Sequence, residues 1–198
     1  MPHAPLLGQK RTEMETYTNI IAACRRQDKK AQLQLYNLFC KCVYNSSLRI
    51  LGNSQEAEEV MQETFLKVLT RPHLLQDNEK AMERMLRRIA INHSIDIFRK
   101  RNKHFKEFTT YSANTLSDNE NEEEESDEGE MQEATVEMIR QGIRKLPDGY
   151  RMILSLHLIE GLKYEEIAHQ LEISASSVRS QYVRARKRLI QLIHDKNE

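Results

Sequence analysis

Ser176, Ser177, Ser180, Arg184 and Lys187 put hydroxyls and fixed cations on one side of a single helical stretch, a chemistry suited to phosphates and base edges. At 100° per residue, Val178, Tyr182, Ala185 and Leu189 fall within about 60° on the other side, an apolar stripe that needs a support. Ile167, Ala168, Leu171 and Ile173 supply it just upstream, and after a short turn the Ser174 hydroxyl can cap the incoming helix. The span 163–189, KYEEIAHQLEISASSVRSQYVRARKRL, thus has the layout of a helix-turn-helix whose second helix enters a DNA groove. A lone amphipathic surface helix would show the same two faces, but here the preceding helix and the turn are present as well.

A second constellation lies in AMERMLRRIAINHSIDIFRKRNKH. On a helical wheel Met85, Asn92, Asp96, Arg99 and Lys103 share a sector of about 60°, whereas Leu86, Ala90, Ile91, Ile95, Ile97 and Phe98 make the helix otherwise largely apolar. Such a polar strip either makes core and capping hydrogen bonds, with Arg99 paired to Asp96, or is a contact surface. A third stretch, QEAEEVMQETFLKVL, turns Ala57, Val60, Met61, Thr64, Phe65 and Val68 inward at spacings of three and four. Glu56, Glu59, Gln62 and Glu63 then face outward, which by itself describes ordinary solvated surface.

The elements that must hold these residues are helices. In 198 residues there are 6 Gly, 4 Pro and no Trp, good helix formers recur throughout, and no segment alternates with a two-residue period. Leu33, Leu35, Tyr36, Leu38, Phe39 and Val43 make an apolar helix, Gly52-Asn53-Ser54 a break with Ser54 as a cap, and Arg71-Pro72 a stop. The formal net charge is zero, yet residues 84–106 carry eight Lys or Arg against one acid, while residues 118–130 carry nine acids and no base. The acidic run cannot bury enough apolar surface to offset the entropy of ordering. The expected architecture is all-α, two small helical domains joined by an acidic flexible linker: residues 1–14 a disordered amino terminus, 15–106 the first domain, 107–133 the linker and 134–195 the second domain.

No catalytic centre is expected. Gly-rich phosphate loops, nucleophile elbows and metal-ligand clusters are absent from the sequence. Cys24, Cys40 and Cys42 are an odd number, and Cys40-Lys-Cys42 has no second ligand pair at zinc-finger spacing, so the thiols read as structural and no metal or cofactor is expected. With neither a secretory signal nor an apolar run of about 18 residues, the expectation is a reduced, cytoplasmic protein without membrane insertion.

The ordered set EEVMQETFLKVL, MLRRIAINHSIDIFRKR, an acidic linker, LPDGYRMILSLHLIEGLKYEEIA and the helix-turn-helix resembles an extracytoplasmic-function sigma factor of the sigma-70 family, over about residues 15–193. The resemblance implies that residues 55–69 dock on the clamp helices of the large catalytic subunit of core RNA polymerase, with Glu59, Gln62, Glu63 and Phe65 as contacts. It implies that residues 82–103 hold and melt the minus-ten element through Arg88, Asn92, Asp96, Arg99, Lys100, Arg101 and Lys103, with the loop 73–80 helping to take an extruded base. A melted strand needs cations for its phosphates and a polar pocket for a flipped base, and these residue types supply both. Ser176, Ser177, Arg179, Ser180, Arg184, Arg186 and Lys187 would read the minus-thirty-five duplex, with Arg179, Ser180 and Arg184 the leading readers; Arg179 and Arg186 lie at the flanks, where phosphate contact is the alternative to base contact.

Two positions depart from the family pattern. Met85 stands where family members often carry Trp and stacks poorly on a base, which points to Phe105 and Phe108 as substitutes; Lys163 replaces a Ser or Thr cap, at a cost of about 1 kcal/mol at most. The family also implies an anti-sigma partner, and a linker that threads the polymerase interior. Two other readings compete. A stand-alone helix-turn-helix regulator leaves the polar strip unexplained, and an anti-sigma or adaptor protein accounts for the helices and charge segregation without DNA contact.

Overall fold

The computed structural model describes residues 7–101 and 136–194. Among the described residues there are eight α-helices and no strand: α1 (Leu7–Arg25), α2 (Lys29–Leu51), α3 (Ser54–Leu69), α4 (Glu79–Arg101), α5 (Val136–Lys145), α6 (Asp148–Leu154), α7 (Tyr164–Leu171) and α8 (Ala175–His194). The all-α expectation holds. By spatial proximity the chain divides into two compact units, Met1–Ser47 with Gln55–His93, and Leu48–Ser54 with Ser94–Glu198. The linker expected over 107–133 lies outside the described residues, as do Lys103, Phe105 and Phe108.

α1 begins at Leu7, within the 1–14 stretch expected to be a disordered amino terminus. In the first unit the buried residues recur at helical spacing: Tyr17, Ile21 and Cys24 on α1, Leu35, Phe39 and Val43 on α2, Met82, Leu86 and Ala90 on α4. Each large aliphatic buried this way contributes roughly 1.5–3 kcal/mol of transfer free energy, which favours these faces over any rotated alternative. All six residues read as inward on α3, from Ala57 to Val68, are buried. Leu33 and Leu38, counted in the apolar run of α2, are instead 59% and 50% exposed.

Local caps set the helix starts. The Asp28 carboxylate accepts the Ala31 N–H at 2.9 Å to open α2, and the Asn78 side chain accepts the Ala81 N–H at 2.9 Å to open α4.

In the second unit α8 packs against α5, α6 and α7. Ile143, Leu146, Leu154, Ala185, Leu189 and Ile193 form its core. α6 runs into a wide turn over Ser155–Ile159, closed by the Glu160 N–H on the Ser155 carbonyl at 3.1 Å, and Gly161 at φ 71° redirects the chain into α7.

The helix-turn-helix is formed by α7 and α8. Its turn is made by Glu172 in the left-handed region at φ 55°, with the Ile173 N–H on the Ala168 carbonyl at 3.1 Å. Ser174 caps α8 as its sequence position suggests, its hydroxyl accepting the Ser177 N–H at 3.0 Å. At α7 the Lys163 side chain offers no acceptor. Half of a capping box is nevertheless present, since the Glu166 carboxylate accepts the Lys163 backbone N–H at 2.8 Å.

Candidate nucleic-acid interface

α8 presents its polar face much as the spacing implies, with a rotation. Ser176, Arg179 and Lys187 are exposed, and Ser180, Arg184 and Arg186 are half-buried. Ser177 is a correction: it is only 4% exposed, with its hydroxyl 2.8 Å from that of Ser174, so it belongs to the helix cap and not to a base-reading face. Gln181 is buried at 2% while Tyr182 is only half-buried. The inward stripe therefore runs through Ser177, Val178, Gln181, Ala185 and Leu189, turned toward the Ser177 side of the helix. What remains outward is a band of Ser176, Ser180, Arg184 and Lys187, flanked by Arg179 and Arg186. Within that band the Ser180 hydroxyl donates to the Ser176 carbonyl at 3.0 Å, which leaves its oxygen lone pairs as acceptors.

On α4, Arg88, Asn92, Asp96 and Lys100 are exposed and Arg99 half-exposed. At 100° per residue they share an arc of about 120°, so the structure keeps them together. Arg101 departs from the group, lying about 160° round the helix from Met85. Arg99 pairs with Asp96 at 3.9 Å, and within the second unit it also pairs with Glu172, while Arg101 pairs with Asp148 at 2.7 Å. These pairs are exposed on at least one side, so exchanging the carboxylates for phosphates costs little. Met85 is half-buried and accepts from the Gln76 amide at 3.8 Å, in keeping with a filling role rather than a stacking one.

The loop ahead of α4 is tied to α1. Arg25 reaches Asp77 at 2.7 Å and the Leu75 carbonyl at 2.9 Å, and the Tyr17 hydroxyl donates to the Gln76 carbonyl at 3.0 Å. Burial, with Glu79 and Asp77 nearby, pushes the Tyr17 hydroxyl well above its ordinary range, so it stays protonated as a donor. The hydrogen bond from Arg25 holds the Asp77 carboxyl below its usual value. A depressed carboxyl contributes stability above its unfolded pKa, about 3.9 for Asp, and loses it as pH falls through the lower folded value. The loop should therefore keep its tie to α1 at neutral pH and loosen only in acid below about pH 4. Amide chemical shifts of residues 74–78 followed from pH 7 to pH 2 check this, and a transition centred above pH 5 would contradict it.

α3 turns Glu59, Gln62 and Glu63 to solvent, with Gln62 donating to Glu58 at 3.4 Å and Glu63 3.4 Å from His93. Phe65 is a correction. It is 3% exposed, its ring 4.9 Å from that of Tyr36, and it serves the core because it sits four residues after Met61 on the inward stripe. Leu66, passed over in the sequence reading, is 65% exposed. It lies within about 60° of Glu59, Gln62 and Glu63 on the wheel, an apolar centre in an acidic rim. The signal for it was available, since a leucine one step off the inward stripe of an otherwise clean amphipathic helix has no packing reason to be there.

Burial pushes the Cys24 thiol up, with Asp28 adding to the effect, and burial likewise raises Cys42, so both stay protonated and poorly nucleophilic. Among the described residues no group of His, Cys, Asp or Glu is arranged to hold a metal ion, and no helix is long and apolar enough to cross a membrane.

Residues 35–104 match the family model for sigma-70 region 2, and residues 136–189 that for sigma-70 region 4. The RNA polymerase sigma-H factor of Pseudomonas aeruginosa is 31% identical over 176 residues, which span 85% of this chain and 89% of the relative. The chain belongs to the sigma-70 family. Within that family it is an extracytoplasmic-function sigma factor, similar to SigW of Bacillus subtilis at 28% identity over 180 residues, 88% of this chain and 95% of the relative. Among solved structures it is similar to the sigma factor RpoE of Bartonella quintana, crystallised with the anti-sigma factor NepR, at 17% identity and a TM-score of 0.46 over 81% of this chain and 95% of that one. The sigma factor's region 2 match takes in α3 and α4, and its region 4 match takes in the helix-turn-helix.

Proposed function

We propose that this sigma factor, which directs RNA polymerase to promoters, divides the work among three helix faces. The Glu59, Gln62, Glu63 and Leu66 face of α3 binds core polymerase. The Arg88, Asn92, Asp96, Arg99 and Lys100 strip of α4 holds the melted minus-ten strand, its cations on phosphates and its polar groups on an extruded base. The Ser176, Ser180, Arg184 and Lys187 band of α8 reads the minus-thirty-five duplex, with Arg179 at its edge contacting one position of that element and Arg186 on a flanking phosphate.

The observation that carries this reading is the pair of separate polar faces, one on α4 and one on α8, each on an otherwise well-packed helix. A stand-alone duplex binder needs only the second. Two modest contacts joined in one chain, with polymerase supplying a third, reach high effective affinity without any one of them being tight. The acidic segment 118–130 suits passage through a basic polymerase interior. As a sigma factor the chain acts by binding and not by catalysis, and an anti-sigma protein covering α3 or α8 is its expected negative regulator.

Purified chain mixed with core polymerase and a promoter library should give discrete transcription starts; tight duplex binding without initiation would refute the assignment. Asn92→Ala is expected to lower open-complex formation about fivefold, the worth of one hydrogen bond of about 1 kcal/mol, with upstream binding unchanged. Permanganate reactivity of the minus-ten thymines and upstream footprinting separate the two steps.

A further inference from the structure

Three aromatic rings meet where α7 begins and α8 passes over it. The His157 ring lies 4.4 Å from Tyr164 at 31°, and 4.7 Å from Tyr182 edge-on at 82°; Tyr164 and Tyr182 are 5.7 Å apart. His157 is anchored in turn by its Nδ1, 2.8 Å from the Leu162 carbonyl in the turn ahead of α7. On the outer side of this stack the Arg179 guanidinium sits over the Tyr164 ring, 5.8 Å from its centroid. Arg179 and Tyr182 are three residues apart on α8 and so share a side of it. The exposed cation at the edge of the reading band is thus held by a ring that two other elements hold.

We infer that Tyr164 is a positioning residue for promoter recognition, fixing Arg179 in one place before DNA arrives; this rests on the reading of α8 as the minus-thirty-five reader. A free arginine has many rotamers and can follow the phosphate backbone of any sequence. One laid on a ring has surrendered that freedom beforehand, so its contact falls at a single place on the duplex. A cation over an aromatic face at an exposed site shifts such an equilibrium about two- to fivefold. The stack therefore turns a general phosphate-seeking cation into a position-dependent one. Because His157 ties the same ring to the Gly161 turn, the register between α7 and α8 is set by the same contacts.

The test uses holoenzyme assembled from the full chain and core polymerase, on promoters randomised across the upstream element with a constant minus-ten region. Tyr164→Phe keeps the ring and should keep the wild-type base preference. Tyr164→Leu should flatten that preference about two- to fivefold, at the same position that Arg179→Ala flattens, and the double variant should do no more than Arg179→Ala alone. Should Tyr164→Leu lose the wild-type melting transition, Tyr164→Met fills the space without a π face and carries the same expectation. In parallel, the Arg179 side-chain protons should show upfield ring-current shifts in wild type and Tyr164→Phe that vanish in the Leu or Met variant. Additive effects in the double variant, a uniform loss at all promoters, or no ring-current shift in wild type would each overturn the proposal. An Arg179→Ala holoenzyme with unchanged preference everywhere, while the shift persists, would defeat the reading of Arg179 at the upstream element instead, and the proposal with it.

Discussion

Replacing Arg184 with Ala is expected to cost about 1 to 3 kcal/mol at one base pair of the upstream element, roughly a fivefold to hundredfold loss of discrimination there, and little elsewhere. Arg184 lies on the outward band of α8 between Ser180 and Lys187, half-buried by its neighbours. Partial burial limits the guanidinium to fewer directions than a fully exposed side chain has, and its planar fork can engage two acceptors of a guanine edge at once. Arg179 and Arg186 sit at the flanks, and alanine at Arg186 should instead weaken binding evenly across sequences and reduce the salt dependence. Transcription from a library randomised at the upstream element reads both outcomes. An even loss across sequences for Arg184→Ala would reassign it to a phosphate.

Leu189→Ala should destabilise the second unit by about 2 to 5 kcal/mol, most of the stability a domain of this size can hold. Leu189 is fully buried between Ile143, Leu146, Leu154, Ala185 and Ile193. Its Cδ1 occupies space only 2.4 Å from where a Cβ on Gly142 would stand, so α5 already approaches as closely as a glycine allows. Side chains on three helices, α5, α6 and α8, border the site and each is held by its own backbone, so a void left there cannot close cheaply. The expected measurement is an early melting transition for the residues of α5 to α8, with α1 to α3 retaining theirs. Upstream-element use should fail at the temperature where that transition begins, while the docking face on α3 remains intact. A loss under 1 kcal/mol would show that the core around α8 repacks freely.

Much of this was legible in residue spacing, and the exceptions share a cause. The inward set of α3 was complete because nearly all of its apolar residues, Leu66 apart, lie on one side, which leaves a single rotation that buries them. Phe65 was assigned twice, to the core by its period and to polymerase by resemblance, and packing against Tyr36 decides for the core. On α8 the period allowed a stripe through Tyr182, but Gln181 is buried in its stead and Ser177 goes with it. Tyr carries an apolar body and a polar tip, so it can sit half out of the core, and a helix with polar and apolar candidates on adjoining rows has no unique rotation. The Ser174 cap was readable because it depends only on residues three apart.

Local order therefore decides the helices, their caps, the segregation of charge and the ordered series of motifs that places the chain among sigma factors, since all of these depend on residues within a few turns of one another. The tertiary structure decides which way α8 is rotated, that Leu66 is left in solvent at the centre of the acidic face, and that His157, Tyr164 and Tyr182 come together under Arg179. Those outcomes depend on which helices press on which, and a one-dimensional period carries no record of the neighbour that a face will meet.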